Sequence, residues 1–221
     1  MARPLALFDL DNTLVDRLAA FERWAAEFAA RRGLGPDAVA WLVRTDADGS
    51  VPMDVFFGLV RARFGLPEPV EELWAAYRAR LPRLVTCRPE VLDGLARLRA
   101  AGWAVGIVTN GMADNQTGKI RRTGLAGRVD GWAISGAEGV RKPDARLFGI
   151  GAARCGASLT DGGWFVGDDP VKDVAGALAA GLRAIWVDRG RAPRPPGAEH
   201  VVTDVLDALE LLMGMRPGGA V

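Results

Sequence analysis

The chain has 221 residues, with 28 Lys and Arg against 27 Asp and Glu, one His and two Cys, and a formal net charge of +1. That balance excludes a large electrostatic bias toward nucleic acid or an anionic membrane surface. No stretch approaches the ~20 apolar residues of a membrane span. The length accommodates one full-sized core, or a core with a smaller appended unit.

Leu5-Ala6-Leu7-Phe8 reads as a buried strand that ends on Asp9 and Asp11. Residues two apart on a strand point the same way, so both carboxylates are expected at one spot. Like charges that close require a cation or a shared proton. A metal-bound nucleophile beside a carboxylic acid is equipment for covalent hydrolysis. The same two aspartates break the short apolar run after Arg3, so no leader peptide is expected there.

A long helical pattern follows (Leu18, Phe21, Ala25, Phe28, Ala29) and stops at Gly33, and a second opens after Pro36. Asp46-Ala47-Asp48-Gly49-Ser50 reads as a polar loop. Two further helical patterns run through Val55–Phe64 and Val70–Leu81. From 89 the texture changes: helix to Ala101, strand at 103–108, helix to about Arg122, strand at 132–134 and helix near 144–154. Strand 164–166, helix near 171–180, strand 184–187, a short strand at Val201-Val202 and a helix over 204–213 complete the pattern. Pro193–Gly197 reads as a surface loop, and Arg216–Val221 as frayed. Alternating strands and helices predict an α/β fold, a doubly wound parallel-sheet (Rossmann-like) core built from 1–14 and 84–221. Residues 15–83 are then an inserted helical unit at the carboxyl end of the first strand, placed to act as a lid over the ligand crevice.

Polar clusters stand at the other strand ends. Thr109-Asn110-Gly111 combines a hydroxyl with backbone N–H groups that can cradle an anion. Lys142, in Arg141-Lys142-Pro143-Asp144, precedes a helix and would supply a fixed positive charge. Asp168, Asp169 and Asp173 end the strand at 164–166 and fit a hard-cation site. Only three of the basic residues are lysines, Lys119, Lys142 and Lys172. A lysine kept in an arginine-rich chain merits attention, because it offers a compact point charge where arginine offers a planar fork. Cys87 and Cys155 lack metal-type spacing and read as reduced thiols of a cytosolic protein, Cys87 as a small buried hydrophobe. His200 reads as a surface or strand-entry residue, and the tryptophans read as packing. Asp16, Arg17, Arg44, Asp46 and Asp48 read as a solvated face.

In order and spacing, these clusters resemble the four motifs of the haloacid dehalogenase (HAD) superfamily. Asp9-Leu10-Asp11-Asn12-Thr13 is similar to the first, Thr109-Asn110 to the second, Lys142 to the third and Gly167-Asp168 through Asp173 to the fourth. The inserted helices resemble the family's C1 cap, as in its subfamily IA. The resemblance implies a Mg2+-dependent, cytoplasmic phosphomonoester hydrolase acting on a small phosphorylated metabolite through an aspartyl-phosphate intermediate. It makes Asp9 the nucleophile and Asp11 the proton carrier. Thr109, with the N–H of Asn110 or Gly111, binds phosphate, and Lys142 steadies Asp9 and the phosphate. Asp9, the Asp11 carbonyl and Asp168 would hold Mg2+, with Asp169 or Asp173 orienting that shell. Neither nucleic acid nor membrane is an expected partner, and the oligomeric state is left open.

The electrostatics point the same way: a phosphate beside a carboxylate at ~4 Å costs on the order of 1–4 kcal/mol per charge pair, which a divalent cation and Lys142 would offset. A β-phosphoglucomutase-like phosphomutase shares the same motifs. A dehalogenase needs neither the acid at the position of Asp11 nor Mg2+. A non-catalytic binding or regulatory module on the same fold is the alternative from another class.

Overall fold

The structure is a computed structural model and describes residues 3–215; Arg216–Val221, expected to be frayed, lie outside the described residues. Six parallel strands form one sheet: β1 (Leu5–Phe8), β2 (Ala104–Thr109), β3 (Gly131–Ile134), β4 (Trp164–Gly167), β5 (Arg183–Val187) and β6 (Ala198–Val202). Their order is β3-β2-β1-β4-β5-β6. β1 is central, pairing Ala6 with Val105 on one side and with Trp164 on the other. It is buried along its whole length. That is why the strand is a continuous apolar run rather than an alternating one.

The chain moves outward through β1, β2 and β3, then crosses back to β4 on the far side of β1. A right-handed crossover in the opposite direction lays its helix on the opposite face. The helix of that crossover, α8 (Ala145–Arg154), packs Leu147, Phe148 and Ala152 with Leu5, Leu7, Val108 and Phe165. Close approach there relies on small residues. A Cβ on Gly151 would stand 2.4 Å from Val108 Cγ2, and one on Gly106 2.4 Å from Cys155 Sγ. α5 (Pro89–Ala100) meets the last helix, α10 (Val205–Gly214), where a Cβ on Gly94 would stand 2.7 Å from Leu209 Cδ1. The reversal at β1 makes the carboxyl ends of β1 and β4 the topological switch point, where open α/β sheets hold their ligands.

The helix expected near 171–180 begins as a π-helical turn, Pro170–Ala175, and continues as the short α9 (Gly176–Ala179). β6 starts at Ala198 and so includes His200, whose ring lies 5.6 Å from that of Trp164. Ala-Glu-His has little β-propensity, and half-exposed edge strands need little of it.

The chain divides into two compact units, residues 1–15 with 87–221, and residues 16–86. The second contains α1 (Arg17–Arg32), α2 (Ala38–Asp46), α3 (Met53–Phe64) and α4 (Val70–Arg80). Asp16 caps α1 by accepting from Ala19 N, and Gly33 closes it in the left-handed conformation. Its interior is aromatic: the Trp24 ring lies 4.9 Å from Tyr77, and Phe21 5.7 Å from Phe56. Arg17 and Asp46, expected on a solvated face, are instead a buried pair. Both Arg17 terminal nitrogens donate to Asp46 at 2.7 Å. The two charges satisfy each other's hydrogen bonds, which is the condition for burying either.

Candidate active site

Asp9 follows β1 directly, and its N–H donates to Val166 O at 2.8 Å, so the ladder to β4 holds its backbone in place. The chain then turns sharply. Asn12 sits at φ 64°, its N–H donates to Val15 O at 2.7 Å, and Leu14 and Val15 both donate to Leu10 O. Asparagine is among the few side chains that tolerate this left-handed region. The strand ends at Phe8, so strand spacing does not set where the Asp9 and Asp11 carboxylates lie, and they meet different ammonium groups. Each has its own lysine: Lys142 for Asp9 and Lys119 for Asp11.

Lys142 is 3 % exposed, and its Nζ lies 2.6 Å from Asp9 Oδ1 and 2.6 Å from Asp173 Oδ1. Burial opposes the charge of this ammonium, but the carboxylates of Asp173 and Asp9 outweigh it and hold the pKa above the usual lysine value. Burial pushes the Asp9 carboxyl up to about 7; Lys142 opposes that shift and the neighbouring Asp173 and Asp11 add to it. Asp168 is pushed up to about 8, first by burial and then by the charges of Asp9 and Asp173. Its backbone carbonyl accepts from Trp186 Nε1 at 2.9 Å, so this tryptophan fixes a site residue as well as packing.

Asp173 is 1 % exposed, and its second oxygen accepts from Asp169 N at 3.0 Å. Gly167 makes room for it, since a Cβ there would stand 2.4 Å from Asp173 Oδ2. The Asp169 carboxylate is engaged elsewhere. It accepts from the N–H groups of Val171 and Lys172 and pairs with Lys172 Nζ at 2.6 Å, capping the π-turn.

On the other side of β1, Thr109 ends β2 and is buried. The Asn110 side chain donates to Lys142 O at 3.0 Å and accepts from Lys142 N at 2.9 Å, a reciprocal pair that fastens the lysine's loop to the end of β2. The Gly111 N–H donates to Ser135 Oγ at 3.0 Å. Gln116, on α6 (Ala113–Arg122), donates through Nε2 to Thr109 Oγ1 at 2.7 Å and to Asp11 Oδ2 at 2.9 Å. Lys119 Nζ lies 2.7 Å from both oxygens of Asp11. Every predicted site residue therefore stands at the carboxyl end of β1, β2 or β4, in the π-turn that follows β4, or in the loop that carries Lys142.

A profile of haloacid dehalogenase-like hydrolases matches residues 4–181, most of the chain. The chain belongs to this family. It is 42 % identical to a phosphoserine phosphatase of Thermus thermophilus over 134 residues, 61 % of this chain and 53 % of that protein. The match thus spans about half the length of that curated relative. Among solved structures it is similar to a HAD phosphatase from Thermococcus onnurineus, with TM-score 0.69 and 25 % identity over 96 % of this chain and 99 % of the other. It is also similar to a 2-haloacid dehalogenase from Pseudomonas syringae, with TM-score 0.62 and 26 % identity over 96 % and 99 % of the two chains.

The donor set of this HAD-like hydrolase suits a hard divalent cation. Carboxylate oxygens of Asp9, Asp168 and Asp173 lie within 4.8 Å of one another. Burial and mutual repulsion disfavour the ionised forms of Asp9 and Asp168, a strain that a cation bound to oxygen ligands relieves. Gln116 and Ser135 were not read as site residues from the sequence, and Lys119 was marked only as a rare lysine. Asn115, Gln116, Lys119 and Ile120 share the buried face of α6, but three of the four are polar, so no apolar periodicity marks that face as interior. The scarcity of lysine was the one usable clue.

Proposed function

We propose that the protein is a Mg2+-dependent phosphomonoester hydrolase acting on a small phosphorylated metabolite. Asp9 attacks phosphorus, the bond from phosphorus to the ester oxygen breaks, and the departing oxygen takes a proton from Asp11. Asp11 then accepts a proton from water, whose oxygen attacks the aspartyl phosphate, releasing inorganic phosphate and restoring Asp9. Thr109 and the Asn110 backbone N–H hold phosphate oxygens, and Lys142 balances the charge of Asp9 and of the phosphate. Asp9, the Asp11 carbonyl and Asp168 would hold Mg2+, with Asp173 orienting them, and the ion would supply further positive charge against the phosphate. The helical unit, residues 16–86, is assigned to selection of the leaving group.

The observation that carries this reading is the different company kept by the first two aspartates. Asp9 lies against Lys142 among the carboxylates of the fourth motif, whereas Asp11 is tied to Thr109 through Gln116. Displacement of halide from carbon has no use for a second acid at Asp11, so the pair favours phosphate chemistry over the dehalogenase reaction named for one structural neighbour. The names of the Thermus and Thermococcus relatives agree with that choice. Among the described residues no helix is long and apolar enough to cross a membrane. Both cysteines are free, which suits a reducing, cytoplasmic setting.

Release of phosphate from p-nitrophenyl phosphate and a panel of phosphorylated metabolites, with and without Mg2+, tests the reading. Mg2+-dependent turnover is expected. Halide release from 2-haloacids without phosphate release would overturn it.

A further inference from the structure

Lys119 is 2 % exposed, as deeply buried as Lys142, yet it belongs to none of the four motifs. An ammonium buried to that degree is retained only against an anionic partner. The partner here is Asp11, which Lys119 Nζ grips through both oxygens at 2.7 Å. Gln116 lies one helical turn earlier on the same face of α6. Its Nε2 reaches Asp11 Oδ2 at 2.9 Å and Thr109 Oγ1 at 2.7 Å. The chain leaves space for this amide: a Cβ on Gly111 would stand 2.8 Å from Gln116 Cγ. One face of the Asp11 carboxylate is thus held by α6, while the side chain keeps 21 % of its exposure.

We propose that Lys119 and Gln116 are positioning residues for Asp11, fixing the orientation of its carboxylate and tying it to the hydroxyl of Thr109. The inference rests on the phosphatase reading and deepens it. Proton transfer to a leaving oxygen demands hydrogen-bond reach in the reacting geometry. A carboxylate on a turn rotates freely unless held, and every rotation moves its oxygens relative to the phosphate. Gln116 removes that freedom in the direction that matters, because it links the acid to a residue that holds the phosphate. Thr109 Oγ1 accepts from Gln116 at 2.7 Å and itself donates to Asn110 O at 3.5 Å. Their contacts reach the site at Asp11, Thr109 and the Asn110 carbonyl, so the contribution proposed for them passes through Asp11 and Thr109.

The test uses leaving-group dependence, which a merely structural role would not change. Kcat/KM is measured in Mg2+ for phenyl phosphate, a weak leaving group, and p-nitrophenyl phosphate, a strong one that departs with little proton assistance. Lys119→Met is expected to lower kcat/KM on phenyl phosphate by about 100-fold, the lower end of what a positioned acid contributes, and on p-nitrophenyl phosphate by less than about 10-fold. Lys119→Arg, which keeps charge and donors, is expected to restore most of the loss. In an Asp11→Asn background, adding Lys119→Met should cause no further fall on either substrate, because the residue acts through Asp11. That double variant buries no unpaired charge and carries the test if the single variant does not fold. Equal losses on both substrates, or a further fall in the double variant, would overturn the proposal and leave the phosphatase reading standing. Failure of the wild-type protein to release phosphate from either ester would overturn both.

Discussion

Removal of the Lys142 ammonium is the sharpest probe of how the candidate site is held together. Lys142→Met keeps the length and apolar stem of the side chain but deletes the group bridging Asp9 and Asp173 at 2.6 Å each. Taking one partner from a buried ion pair costs roughly 3–5 kcal/mol, because the remaining charge stays buried. For a chain of this size each kcal/mol moves Tm by about 2–4 °C, so a fall of about 6–20 °C is expected in chelator at pH 8. The loss should shrink at pH 5. Asp9 already favours its protonated form up to about pH 7 in the wild type, and without Lys142 it takes a proton more readily still. Mg2+ at a hundred times the Kd of each protein adds about 2.7 kcal/mol to both, so the difference narrows only where the variant binds the ion more tightly. At equal free Mg2+ its stabilising effect should be larger in the variant, whose carboxylates lack the competing ammonium. Thermal unfolding followed by circular dichroism, in chelator and in Mg2+ at both pH values, measures all three effects. A variant melting within about 2 °C of wild type at pH 8 in chelator would refute the reasoning.

Three further outcomes follow from the same geometry. Asp9→Asn should bring phosphate release to background while leaving Tm near that of wild type, since Lys142 keeps its bond to Asp173; turnover near the wild-type rate would remove Asp9 as nucleophile. In chelator, wild-type stability should fall as pH rises from about 6 to about 8. Asp9 and Asp168 have folded pKa values of about 7 and about 8 against an ordinary 3.8, so the folded state binds more protons than the unfolded one in that window. Depressed carboxylates such as Asp144, at about 2, are ionised in both states there and contribute no slope. A Tm that rises with pH in chelator would contradict this. Gly167→Ala should destabilise by about 1–3 kcal/mol and lower activity, because the new methyl meets Asp173 Oδ2 at 2.4 Å and pushes the carboxylate away from Asp169 N and from Lys142, which bonds its other oxygen. Near-wild-type Tm and activity together would show that Asp173 has room to move.

Much of this molecule was legible in its sequence because the relevant signals are local. Leu5–Phe8 announces a strand buried on both faces, and the apolar runs at 104–108 and 164–166 announce its neighbours. Their order with helices between them requires a parallel sheet, and such sheets gather strand ends at one edge. Asp9, Thr109 and Asp168 could therefore be grouped although they are scattered along the chain. What sequence did not decide is which polar group each buried charge chooses. Lys119 and Asp11 are 108 positions apart and Arg17 and Asp46 are 29 apart, and no periodicity relates either pair. The Gly111 N–H, available to an anion in the isolated turn, meets Ser135 only because β2 and β3 are paired. Strand and turn propensities act over a few residues, whereas pairing of buried charges is settled by which side chains the packed sheet and helices leave within 3 Å of one another. Local sequence therefore determined the sheet and the candidate reacting groups. Tertiary structure assigned each aspartate its lysine.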